Sequence, residues 1–433
     1  MNRFYIYGVV TACLTLVYAL RLAFHSTILC QYDPNDNSTD PHYLTNPTYK
    51  VLSYASVSIG LVIGLIPLST FYYLGTRKIF CFYGIVGIIS TLLYPTADAA
   101  GFLPAFIIRL LQGVPGAMYL WAVNSVSLEW APLRETGQAV AILTSFYQLS
   151  PIVASIISGE MCTRGGWENT YYVLGIVTAM FFIIFWRIYT ENPRDCRCLS
   201  AKEADMINEG KFGSKDVKKA APLQAIFTDP QVCLAWGMYF TFFLGSYIFL
   251  QFGPVYISLV LKYEVLSTGY AMALPHLITL VSKFAYGRIL DTFWGLSQRC
   301  RLIITYSTVE IIASACLCTI LFTDSTSVAL LVYIVFNSLH NLVVVVIMRH
   351  MQLIARQHSH VLANGNTFIV AVCVLTTSVL QYFVLNNSQE QWTAIFLGVA
   401  GSILVTVLLF AFCSTSKPRK WTEIEAIPLH EQK

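Results

Sequence analysis

The chain has 433 residues, of which 56% are hydrophobic and only 12% charged, with a formal net charge of +4 and a mean hydropathy of +0.62. Soluble domains carry roughly 25% charged residues, so this composition excludes a nucleic-acid binder, a disordered protein and an ordinary soluble enzyme. Long apolar stretches alternate with short polar ones, the pattern of a polytopic membrane protein.

Apolar runs of about 20 residues fall at 5–28, 51–74, 79–96, 102–128, 137–160, 170–189, 232–258, 268–287, 302–322, 327–348, 361–385 and 392–413. They are too long for lipid-spanning strands and lack strand alternation, so they predict twelve transmembrane helices in an all-α membrane protein. The first run is longer than a signal-peptide core, has no small-residue cleavage site and reads as a retained helix. The longest polar break separates six helices from six. It divides the chain into an N-terminal six-helix bundle (1–189), a central loop (190–231), a C-terminal six-helix bundle (232–413) and a tail (414–433).

Orientation is read from the basic residues. With the N-terminus in the cytosol, 21 of the 27 Lys and Arg fall on cytosolic segments. Three (Lys50, Arg164, Lys262) fall on the opposite side, and Arg21, Arg109 and Lys283 lie inside helices. Both termini, the central loop and the tail are therefore expected in the cytosol. Glycosylation sequons at Asn37 and Asn386 fall in the first and last external loops, which agrees. The twelve cysteines form neither a disulfide framework nor a zinc-type spacing. Cys30 and Cys162 both fall toward the exterior, where a pairing is open to them.

A charge at mid-bilayer costs at least ~2.5–3.5 kcal/mol, so those retained there point to function. Arg21 in helix 1 and Arg109 in helix 4 lie at similar depth, somewhat outside the midplane, by ~1.5 Å rise per residue. Neither has an acid within reach on its own helix. Two guanidiniums at one level without a counter-ion point to an anionic ligand, which the planar fork holds bidentately. The competing reading has each arginine snorkel outward or pair with Glu160 or Asp98. Glu310, the one acid deep in a span, reads either as a proton carrier or as a structural contact. His25, His276 and His340 are further candidates for titration near neutral pH, whereas Lys283 is expected to snorkel toward the cytosolic end of helix 8. Gly60 and Gly64 in helix 2, and Gly113, Gly116 and Ala117 in helix 4, would allow close helix approach. Paired catalytic carboxylates, a nucleotide loop and a nucleophile elbow are all missing, so no enzyme is expected.

Two six-helix bundles with a charged central loop resemble the major facilitator superfamily, whose halves rock about a central site. The detailed resemblance is to the organic-anion and sodium/phosphate cotransporter family, which includes sialin and the vesicular glutamate transporters. Leu16-Val17-Tyr18-Ala19-Leu20-Arg21 is similar to its first helix. Arg109-Leu110-Leu111-Gln112-Gly113, followed by Glu129-Trp130-Ala131-Pro132-Leu133-Arg134-Glu135, is similar to its fourth helix and next loop. Gly166-Trp167, Phe185-Trp186, Glu191-Asn192-Pro193 and Leu199-Ser200-Ala201-Lys202-Glu203 follow in order. Ala273-Leu274-Pro275-His276-Leu277 and Gly287-Arg288-Ile289-Leu290-Asp291 resemble its eighth helix and the next turn, and Asn366 and Gln391-Trp392 complete the series.

The resemblance implies that Arg21 and Arg109, with His276, bind an organic or inorganic anion and that the halves alternate access to it. Arg77, Lys78, Arg288 and Asp291 would form the gating turns. The chain departs from the family at Gly116, where relatives carry an acid linked to proton coupling, and at Gly75-Thr76-Arg77-Lys78, which lacks the usual acid. It departs again at His350-Met351-Gln352-Leu353-Ile354-Ala355 and at the run Val343 to Val346. Any proton coupling would then fall to Glu310, His25 or His340.

The expected function is secondary active transport of small anions, coupled to protons or sodium. An uncoupled uniporter or channel, and a non-transporting anion receptor, are the alternatives. No cofactor is expected beyond a coupling H+ or Na+, no metal site, and no partner beyond a carboxylate or phosphate substrate and the bilayer. The working unit is expected to be a monomer, and plasma, lysosomal and vesicular membranes all fit.

Overall fold

The computed structural model describes residues 3–32, 41–71, 74–132, 135–196, 199–208, 222–292, 296–320, 322–323, 325–355, 358–380 and 389–422. Among these residues there is no strand, and the spans are twelve helices. They are α1 (Arg3–Gln31), α2 (Pro47–Phe71), α3 (Thr76–Ala99), α4 (Phe102–Trp130), α5 (Gln138–Arg164) and α6 (Glu168–Ile188). The second set is α7 (Pro230–Val260), α8 (Val265–Thr292), α9 (Gln298–Ile320), α10 (Thr326–Ala355), α11 (Ser359–Leu380) and α12 (Gln389–Cys413). Eleven are long and apolar enough to cross a membrane, and α11 carries a shorter apolar stretch, Gly365–Leu380. The central segment adds short helices at Ala201–Asn208 and Leu223–Phe227.

Helix starts follow local chemistry. Asp229 caps α7 by accepting from the Gln231 N–H at 2.8 Å, with Pro230 at the first helical position. Gly101, at φ +108°, turns the chain tightly into α4. Buried apolar side chains form two clusters, one drawn from residues 6–196 and the other from 226–410 with Leu61 of α2 added. α1 is buried along almost its whole length, whereas α8 turns Leu277, Val281 and Phe284 outward. The central position of α1 puts Arg21 in the interior.

The small residues of α2 and α4 bring the two backbones together. A Cβ at Gly60 would lie 1.9 Å from the Leu110 carbonyl oxygen, and one at Gly113 would lie 2.1 Å from that of Val57. At this crossing α4 tightens into a 3₁₀ turn over Val114–Met118. The corresponding helix of the second set, α10, is interrupted at 341–343.

The two sets meet differently at their two ends. At the end carrying residues 41–46, α5 and α8 touch: a Cβ on Gly269 would lie 2.8 Å from the Ser155 carbonyl oxygen. Tyr270 there donates to Glu160 at 2.6 Å. A disulfide joins Cys30 to Cys162, with 6.0 Å between their Cα atoms, tying α1 to α5 at this end. At the opposite end, which carries the central segment, the sets diverge around a cavity of about 410 Å³.

Candidate functional site

Arg21 and Arg109 are 2% and 1% exposed, so neither snorkels. The carboxylates that could have paired with them are engaged elsewhere. Asp98 accepts from Gln31 at 2.7 Å, from Tyr43, and from His42 at 3.1 Å. Glu160 pairs with Arg164 at 3.0 Å and accepts from Tyr270. No carboxylate lies within ion-pair distance of either arginine among the described residues.

What surrounds the guanidiniums is aromatic. Arg109 lies over the Phe24 ring, 4.1 Å from its centroid, and donates from Nη1 to Gln112 Oε1 at 2.7 Å. Arg21 lies between Tyr18 and Tyr247, with 5.8 and 5.6 Å to the ring centroids. Rings attract a cation through their faces but remove only part of its charge. Among the described residues, Nε and Nη2 of Arg109, Nε of Arg21 and Nδ1 of His25 have no hydrogen-bond partner. His25 stacks on Tyr54 at 5.4 Å, and both guanidiniums act on it electrostatically.

Gly116 lies against this pocket. A Cβ there would be 3.5 Å from Arg21 Nη1. The position at which relatives carry an acid therefore faces the arginine.

His276 is elsewhere. It lines the 410 Å³ cavity together with Lys283, Gln148, Asn341, Arg349 and Asn366. Tyr18 and Tyr247 line the same cavity, with 3.3 Å between their hydroxyls, and Arg21 lies on their other side. The tyrosine pair, one from α1 and one from α7, separates the arginine pocket from the open cavity. Lys283 does not run to the helix end: its Nζ donates to Thr144 Oγ1 of α5 at 2.9 Å. α8 turns this side chain inward, which linear distance from a helix terminus could not reveal.

Glu310 and His340 form a buried pair between α9 and α10, with 3.0 Å from Oε2 to Nδ1 and 2% and 1% side-chain exposure. His340 Nε2 is 3.0 Å from the Phe242 carbonyl oxygen, which can only accept, so Nε2 carries a hydrogen. One further proton is shared between Nδ1 and the carboxyl. The pair lines neither the arginine pocket nor the cavity. Its partnership was invisible in the sequence because it joins residues 30 apart on separate helices.

Among the gating residues, Arg77 donates to the Trp186 carbonyl and lies over its ring at 4.2 Å, while Lys78 is exposed. The side chains of Arg288 and Asp291, and both sequon residues Asn37 and Asn386, lie outside the described residues.

Comparison with known proteins places this geometry. A family model described as Major Facilitator Superfamily matches residues 7–377. The chain is 24% identical over 260 residues to sodium-dependent phosphate transport protein 1 of Homo sapiens, covering 60% of this chain and 56% of that protein. It is 25% identical over 289 residues to a chloroplastic ascorbate transporter of Arabidopsis thaliana, covering 63% and 51%. The chain thus spans little more than half the length of these curated relatives. Among solved structures it is similar to a D-xylose–proton symporter, with a TM-score of 0.72 at 14% identity, covering 98% of this chain and 100% of that one. A bacterial homologue of the human lysosomal transporter Spinster follows at a TM-score of 0.62 and 14% identity, covering 94% of each chain. These relatives agree with the resemblance read in the motifs, and the chain belongs to the major facilitator superfamily.

Proposed function

We propose that the chain is a secondary transporter that moves a small organic or inorganic anion by alternating access, with Arg21 and Arg109 as its anion ligands. One observation carries this reading: two guanidiniums are buried in the same half of the fold with unpartnered N–H groups, and among the described residues no carboxylate pairs with either. Each such charge costs at least ~2.5–3.5 kcal/mol in the span, and a bound carboxylate or phosphate supplies both charge and acceptors. The relatives named for phosphate and ascorbate transport support an anion as cargo.

The end carrying the central segment is assigned to the cytosol. The 21-to-3 distribution of basic residues supports this. The Cys30–Cys162 disulfide lies at the opposite end, as expected for an oxidising compartment. The cavity then opens inward, and the contact at Gly269 and Tyr270 closes the outside. Release to the cytosol requires Tyr18 and Tyr247 to part. Return requires α5 and α8 to separate outside while the walls of the cavity come together.

The coupling site assigned here is the Glu310–His340 pair, a buried proton-sharing group apart from the proposed anion ligands. A second reading, uncoupled uniport, rests on Gly116, which leaves Arg21 without an internal carboxylate. Uptake by the reconstituted protein in sealed liposomes distinguishes them. The panel is phosphate, glutamate, sialic acid and urate, with pH, sodium and voltage gradients imposed separately. Uphill accumulation driven by a pH gradient in the wild type but not in Glu310→Gln supports coupling through the pair. Equilibration without accumulation supports uniport, and no movement of any bound anion would favour a receptor.

A further inference from the structure

The cytosol-side cavity has a chemistry of its own. Its volume, about 410 Å³, falls within the ~300–1,000 Å³ of small-molecule sites. Lys283 is in its wall, as is Arg349, which is already engaged with a partner, and no Asp or Glu lines it among the described residues. The Lys283 ammonium has three N–H donors, and among the described residues the acceptor it bonds is Thr144 Oγ1, which directs its own proton to the Val140 carbonyl at 2.8 Å. Two amides complete the wall. Gln148 is 4% and Asn366 1% exposed, and each has a carbonyl oxygen with no partner. With O and N exchanged, either amide can present its NH₂ to a ligand, Asn366 giving up its contact to Met351 Sδ at 3.4 Å.

We propose that this cavity holds a second anion site, centred on Lys283 and distinct from the arginine pocket, that receives a carboxylate- or phosphate-bearing anion on the cytosolic side of the Tyr18–Tyr247 contact. The inference rests on the anion-transport reading for its biological sense, but the site is defined by its own residues. An anion released from Arg21 and Arg109 reaches Lys283 before bulk water, and a cytosolic anion reaches Lys283 before the arginines. The site therefore sets how readily the inward face loads and unloads.

Anion-dependent thermal stabilisation of the purified full chain tests this, because a ligand that binds only the folded chain stabilises it by RT ln(1 + [L]/Kd), from which the affinity is fitted. The probes are inorganic phosphate, glutamate and urate. Arg109→Gln removes a ligand of the arginine pocket, and in that background a stabilisation by at least one probe that follows RT ln(1 + [L]/Kd) should persist. Adding Lys283→Gln should weaken it at least tenfold, and adding Lys283→Arg in its place should keep it. Thr144→Val, which removes only the lysine's protein partner, should not weaken it. Should the glutamine variant fail to fold, Asn366→Leu replaces it and should weaken binding several-fold. Unchanged affinity in the Lys283→Gln or Asn366→Leu variant, or no stabilisation by any probe in the Arg109→Gln background, overturns the second site. The transporter reading fails by a different result, wild-type uptake by Arg109→Gln.

Discussion

Arg21 and Arg109 are held by rings rather than by carboxylates, and this difference decides what they can do. A guanidinium already paired with an acid would have to exchange partners to bind an anion, whereas one resting on Phe24 or between Tyr18 and Tyr247 keeps N–H groups unbonded. Gly116 tests the point directly. A Cβ there meets Leu61 Cδ1 at 3.1 Å, the flexible end of a side chain, and Arg21 Nη1 at 3.5 Å. Gly116→Glu should therefore set a carboxylate against Arg21 and lower anion affinity at least tenfold, while Gly116→Ala should change it by no more than a few-fold. Equal affinity in wild type and the Glu variant, measured by binding to purified protein, would contradict the placement. The two arginines were legible in the sequence because a charge inside an apolar run is conspicuous at any register. Their ring partners were not, since Phe24 and Tyr247 look like any other aromatic residues of a membrane helix.

At the scale of the element, the close contact between α5 and α8 closes the end that the proposed orientation puts outside. No side chain fits at Gly269, where a Cβ would lie 2.8 Å from the Ser155 carbonyl oxygen. Overpacking of this kind costs typically ~1–3 kcal/mol, and the bundle can relieve it by opening outward. Gly269→Leu is thus expected to increase labelling of a cysteine placed at Tyr270 by a membrane-impermeant thiol reagent severalfold. Unchanged labelling would show that this contact does not hold the outside shut. The helices themselves were readable from hydrophobic run length, and the glycines of α2 and α4 correctly announced a close crossing. The break in α10 at 341–343 was not readable, because Leu342 and Val343 continue an apolar run with neither Gly nor Pro to mark it. The facing of Lys283 was missed for a related reason. Depth along a helix is written in the sequence, but rotation about its axis is set by the neighbour, here Thr144 of α5.

Across the whole molecule, the disulfide at one end and polar ties at the other frame a bundle free to move in between. Asp229, at the start of α7, accepts from Arg419 Nε at 2.7 Å and Trp421 Nε1 at 2.8 Å, which docks the segment after α12. Burial acts to raise the Asp229 carboxyl, but the hydrogen bonds from Arg419, Trp421 and the Gln231 N–H outweigh it and hold it below its ordinary value. A carboxyl depressed in the folded state contributes stability that is full above its unfolded value, ~3.9, and is lost as pH falls through the lower folded value. Amide exchange over 414–422 should accordingly be independent of pH, once intrinsic rates are removed, down to about pH 4. Asp229→Asn should loosen the segment at neutral pH, and equal protection in the variant would contradict the docking. The division into helices and the bias of basic residues were legible because they are properties of composition along the chain. The separation of one wide cavity from a closed arginine pocket was not, because it depends on how two sets of helices tilt.

The central claim is that the buried arginine pair binds the transported anion, and uptake by Arg109→Gln in sealed liposomes tests it most directly. With whichever anion the wild type takes up, the variant should insert and unfold like the wild type yet lose uptake by at least a hundredfold, whereas uptake at the wild-type rate would contradict the claim.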